Sequence, residues 1–163
     1  MIISQEQKDI EAARELTSKS ELRRVRLRRC LAELQGEEDQ LQSPFGLAHS
    51  HNTTASIIDT VLRIEVTFNF QGFDNSDGKV SLFSISCSFD LDYEIPAEYR
   101  PDQAALNSFK DGNAVFNCWP YARECVQSIT AKMGIKPPPL PLLRIAPKPK
   151  EKAAKTEADV SVK

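Results

Sequence analysis

Two long alternating runs constrain this chain more than any other feature. In "VLRIEVTFNF", residues 61–70, the apolar Leu62, Ile64, Val66, Phe68 and Phe70 alternate with Arg63, Glu65, Thr67 and Asn69. In "LFSISCSFDLDY", residues 82–93, Phe83, Ile85, Cys87, Phe89, Leu91 and Tyr93 alternate with Ser84, Ser86, Ser88, Asp90 and Asp92. A period of two sends successive side chains to opposite sides of a sheet, so both runs predict strands with one apolar and one wet face. The "DNSDGK" between them supplies Asp, Asn and Gly for a turn and predicts an antiparallel hairpin with a longer loop. The apolar face of that hairpin has to be covered.

The covering element is legible downstream. From Tyr121, the residues Ala122, Cys125, Val126, Ile129 and Met133 form one helical face, opposed by Arg123, Glu124, Gln127 and Lys132. Gly134 is placed to cap the helix, and Pro120 is tolerable only in a first turn or at a kink. Upstream, "DQAALNSF" predicts a short helix with Pro101 and Asp102 near its start, and "KDGN" is read as its break. A further short helix is predicted over residues 5–18, with Ile10, Ala13 and Leu16 at near-helical spacing. The stretch "ELRRVRLRRCLAEL", residues 21–34, fits alternation and helical spacing equally well. Residues 36–56 read as loop with at most a short strand.

After the helix comes "IKPPPLPLLRI". Its prolines enforce extended backbone and remove donors, which excludes helix and central strand at Pro137 to Pro141. Leu140, Leu142, Leu143 and Ile145 are too apolar for a free linker, so the strip must lie against something. The closing "APKPKEKAAKTEADVSVK" is low-complexity and charged, and disorder is expected there.

Composition excludes more than it selects. With 163 residues, 40% hydrophobic and 27% charged, the chain suits one domain of an ordinary soluble protein. No apolar run approaches the roughly 18–20 residues that span a bilayer, so no membrane insertion is expected. The opening "MIISQEQKDIEAARE" lacks the basic start and apolar stretch of a leader, and a cytoplasmic location is the expectation. Cys30, Cys87, Cys118 and Cys125 form no CxxC pair, and His49 and His51 form an HxH without nearby acids or cysteines, so no metal site is expected. Cys118 and Cys125, seven residues apart on one helix, are too far apart for a disulfide. No base accompanies Cys125 for nucleophilic catalysis, and "QGFDNSDGK" lacks the spacing of a phosphate loop. The chain is read as no enzyme, with no cofactor.

The segment "WPYARECVQSITAKMG" resembles the signature helix of SecB-type chaperones, through Pro120, Tyr121, Ala122, Arg123, Glu124 and Cys125. "PPPLPLL" is similar to that family's Pro- and Leu-containing extended segment, and "VLRIEVTFNF" to its long sheet strand. The resemblance covers about residues 21–145 and implies an α+β fold. That fold is a four-stranded antiparallel sheet with a long helix packed on one face, assembled as a dimer of dimers, here with an extra N-terminal helix. It assigns residues 21–34 to a strand and divides the chain into an N-terminal helical extension (1–20), a SecB-like domain (21–145) and a Lys-rich tail (146–163).

The function implied is that of an ATP-independent holdase. Its clients would be unfolded polypeptides, either preproteins bound for export or a particular client such as an antitoxin. A holdase needs apolar surface that is exposed yet ordered. The groove candidates are Phe68, Phe70, Phe83, Phe89 and Tyr93 on the strands with Leu140, Leu142 and Leu143 on the strip; the alternative for the aromatics is simple core. Pro120 to Val126, with Ile129 and Met133, are candidates for the subunit interface. Two departures bear on partners. Export SecB continues into a second helix where this chain has its Lys-rich tail. The acids that meet SecA are here joined by Arg63 and by the arginines of residues 23–29, which argues against a dedicated SecA dock. The alternative function is a partner-binding or nucleic-acid-binding module on the same fold. Against nucleic acid, the sheet aromatics form no RNP-like motif.

Overall fold

The computed structural model describes residues 2–5, 7–37, 45–74 and 80–147. Elements follow in the order β1 (Ile2–Gln5), α1 (Gln7–Lys19), β2 (Glu21–Leu34), β3 (Phe45–Ile58), β4 (Val61–Asp74) and β5 (Ser81–Glu94). Then come α2 (Gln103–Phe109), a π-helical turn (Lys110–Ala114), α3 (Val115–Lys132) and β6 (Arg144–Pro147). β2 to β5 form one antiparallel sheet in the order β2-β5-β4-β3, while β1 and β6 pair in parallel as a separate two-stranded ladder.

The two alternating runs occupy the centre of the sheet as adjacent strands. Leu62 lies opposite Tyr93, Ile64 opposite Leu91, Val66 opposite Phe89, Phe68 opposite Cys87 and Phe70 opposite Ile85. All ten side chains are buried under the helices. Each large one stabilises the fold by about 1.5–3 kcal/mol through the area it removes from water. The next pair in the register is Gly72 and Phe83. A Cβ on Gly72 would overlap the Phe83 ring, so glycine is required there by the aromatic lying over it.

Residues 21–34 are a strand, as the resemblance implied, and β2 carries two bulges, between Leu22 and Arg24 and between Leu27 and Arg29. Each bulge inserts one extra arginine, which is why simple alternation failed along this stretch. The expectation of a loop with at most a short strand over residues 36–56 is corrected from residue 45 onward, residues 38–44 lying outside the described residues: β3 is a 14-residue strand paired to β4 along its whole length. It is an edge strand, only partly covered, so Ala, Ser, Asn and Thr suffice and no apolar alternation marks it. A two-residue turn joins β3 to β4, with Asp59 in the left-handed region at φ 55°.

"KDGN" does not break the helix. Asp102 caps α2 by accepting from the Ala105 amide at 2.7 Å, and the chain then widens into the π-turn and continues as α3. The π-turn is anchored on edge strand β3, where Thr53 bonds Asp111 and Lys110 Nζ donates to Thr53 Oγ1 at 3.2 Å. Pro120 lies inside α3, past its first turn. α1 packs on α2, burying Ala13 and Leu16. The turn "DNSDGK" beyond Asp74 and the Lys-rich tail beyond Pro147 lie mainly outside the described residues.

Candidate functional site

α3 ends in a Schellman cap. Gly134 takes φ 76°, its amide bonds Ala131 and the Ile135 amide bonds Thr130 at 2.9 Å. The cap turns the chain back into the proline strip. Ile135, Pro138, Leu140 and Leu143 face inward and are buried, whereas Lys136, Pro137, Pro139, Pro141 and Leu142 face outward. Prolines lack the donor needed to join a ladder, so the strip is fixed differently. The Trp119 indole Nε1 of α3 donates to the Pro141 carbonyl at 2.9 Å. Trp119 itself stands among rings, 5.6 Å from Phe68, 6.1 Å from Phe70 and 5.8 Å from His49 of edge strand β3. Leu142, the residue after the clamp, is 70% exposed.

The histidines join this aromatic row. His51 lies 6.0 Å from Phe68, and burial lowers both His49 and His51 below the ordinary imidazole value, with Asp111 opposing for His51. Both therefore stand neutral at pH 7.

Among the residues singled out from sequence, Phe68, Phe70, Phe83, Phe89 and Tyr93 are buried core. Tyr93 accepts from Asn117 Nδ2 at 3.1 Å and meets Phe109 edge-on, and Phe83 meets Phe45 edge-on. Leu140 and Leu143 are buried with them, leaving Leu142 as the strip's open leucine. Of the signature helix, Ala122, Cys125 and Val126 are buried, Arg123, Ile129 and Met133 half-buried, and Pro120, Tyr121 and Glu124 exposed. The Arg123 Nε is buried without a hydrogen-bond partner among the described residues. Trp119 was not singled out from sequence; a lone tryptophan one residue before the signature was its only signal.

A second apolar zone lies on the other flank. α3 covers the helix side of β2 only in part, leaving Leu22, Leu27 and Leu34 exposed, and Tyr121 stands 6.4 Å from Phe89. The opposite face of the sheet is charged and closely paired. Asp92 binds Arg24 and, at 2.7 Å, Arg63 Nε; Asp90 binds Arg26 at 2.8 Å and Arg28 at 3.3 Å. Arg28 also reaches Glu65, and Arg23 bridges Glu21 and Glu94. The Arg63 bond, with Arg24, holds the Asp92 carboxyl below the usual range against its burial. For Asp90, burial pushes upward, and the bonds from Arg26 and Arg28 together outweigh it. The basic run of residues 23–29 is thus largely spent on the sheet's own acids.

No protein-family model and no curated protein matches the sequence. Among solved structures, the chain is similar to the Mycobacterium tuberculosis SecB-like chaperone Rv1957, solved in complex with a ChAD peptide from the HigA1 antitoxin Rv1956. The two are 15% identical, with 83% of this chain and 99% of that one covered at a TM-score of 0.71. A protein of unknown function from Streptococcus agalactiae is 9% identical over 76% of this chain and 97% of its own, at a TM-score of 0.47. The chain has the SecB-like fold.

Proposed function

We propose that the protein is an ATP-independent holdase that binds extended, unfolded polypeptide. One observation carries the reading. The strip is held as an ordered ribbon by the Trp119–Pro141 bond while Leu142 stays open to water beside it. A ribbon whose prolines carry no amide donors and which presents an ordered leucine offers apolar capture without self-association. The M. tuberculosis chaperone of the same fold, bound to an antitoxin peptide, supports a polypeptide client, and an antitoxin or a preprotein falls within that class. Self-association as a dimer of dimers belongs to the same proposal, supported by the uncovered leucines of β2 and Tyr121. The paired acids of the sheet favour service to a particular client over docking on SecA, because Asp90 and Asp92 are already neutralised by arginines. A cytoplasmic location goes with this reading.

The test is light scattering of a chemically denatured model substrate diluted into buffer with the protein at equimolar tetramer and low salt. Suppressed aggregation is the expected outcome. No suppression with any of several substrates would sink the general holdase and leave a single-partner module.

A further inference from the structure

Three thiols far apart in sequence meet under the sheet. Cys30 of β2 lies directly opposite Cys87 of β5, and Cys125 of α3 comes down beside both. The Cys30 and Cys125 sulfurs are 3.9 Å apart. A disulfide needs about 2.05 Å, so the two sulfurs are in van der Waals contact and have about 2 Å to close. Cys87 is fully buried, Cys125 nearly so, and Cys30 is half-open at the partly covered flank of β2. Among the described residues no three such groups are set to hold a metal ion, so the chemistry open to the cluster is between its own sulfurs.

We propose that Cys30 and Cys125 form a reversible dithiol–disulfide site that a hydroperoxide oxidises. The Cys125 thiolate attacks the peroxide; its O–O bond breaks, water or an alcohol leaves, and Cys125 becomes a sulfenic acid. Cys30 sulfur then attacks the Cys125 sulfur, the S–OH bond breaks, and the Cys30 proton departs with the hydroxyl as water. Two thiols are oxidised by two electrons and one peroxide is reduced. The order of events follows from the surroundings. Hydrogen bonding from Cys87, helped by Cys30, draws Cys125 down to about 7 against burial, whereas burial and the neighbouring Cys125 push Cys30 up to about 11. Cys125 is therefore the thiolate and Cys30 the resolving partner. The bond joins the free edge strand to the helix that covers its neighbours, independently of whether the protein binds clients.

The experiment treats the full-length assembled protein with hydrogen peroxide, blocks remaining thiols, and maps peptides by mass spectrometry without reduction. A Cys30–Cys125 linked peptide that disappears with dithiothreitol, and a melting temperature raised by roughly 5 °C or more, are expected. Cys30→Ser should give neither the Cys30–Cys125 linked peptide nor the rise in melting temperature, while Cys118→Ser should link as the wild type does. Four thiols that stay unreacted in the folded protein, or linkage of Cys125 to Cys87 instead, would overturn the assignment.

Discussion

Trp119→Phe isolates the clamp on the proline strip. Phenylalanine keeps an aromatic ring against Phe68, Phe70 and His49 but removes the Nε1–H that meets Pro141 at 2.9 Å. An intramolecular bond of this kind contributes roughly 0.5–1.5 kcal/mol net, and the exposed Pro141 can rehydrate its carbonyl, so about 1 kcal/mol is expected. Because the bond joins strip to helix, that loss falls on opening of the strip, raising its open population about fivefold. Truncating the indole adds a smaller cost to the whole fold. A brief chymotrypsin digest reads the two separately, since cleavage tracks the open population when reclosing is fast. Cutting after Leu142 and Leu143 should accelerate about fivefold, and cutting within β4 and β5 much less. Equal acceleration at both places would mean that Trp119 stabilises the core alone, and the clamp would have to be abandoned.

Leu142→Asp should weaken capture of a labelled unfolded polypeptide several-fold with elution volume unchanged; Leu140→Asp, buried, should instead cost about 2–4 kcal/mol in urea denaturation. Dissociation of the Leu142→Asp assembly would make the strip an interface. Gly72→Ala should destabilise by roughly 1–3 kcal/mol, partly recovered by Phe83→Leu, and an additive double mutant would disprove the ring overlap. Asp90 and Asp92 titrate below their unfolded value, so their contribution is full above roughly pH 4 and is lost as pH falls through the lower folded values. Thermal melts between neutral and acid pH should show that loss, and Arg24→Met with Arg63→Met should flatten it; an Asp92 that titrates normally by NMR would contradict the network.

The parts of the fold that bury a repeating apolar face were legible in the sequence. β4, β5, α1 and the later turns of α3 follow from period alone, and Gly134 was found as a cap because only its conformation completes the Schellman bonds. What escaped was set by partners rather than pattern. β3 is an edge held by backbone pairing to β4, so its polar side chains hide it. The π-turn survives "KDGN" because Thr53, 57 and 58 residues upstream of its two partners' reach, ties Lys110 and Asp111 to the sheet. The aromatic positions were visible as one face, but period cannot say whether a face is groove or core. In the fold the phenylalanines of the two central strands are buried and Leu142 is in the open. The meeting of Cys30, Cys87 and Cys125 depends on strand register and helix placement together, neither of which spacing encodes.

The ladder between β1 and β6 pairs Ile2 with Arg144, closing a circuit of about 140 residues with four residues on each side. Closing a loop of that length costs on the order of 4 kcal/mol more than closing a very short one, which a short ladder at about 1 kcal/mol per bond barely offsets. On that balance the ladder is expected to form last, once docking of α1 and the strip has brought the two ends near each other. It behaves as a buckle on a finished belt. Dyes placed near Ile2 and Pro147 would report, as one energy-transfer signal, whether everything between them has been assembled.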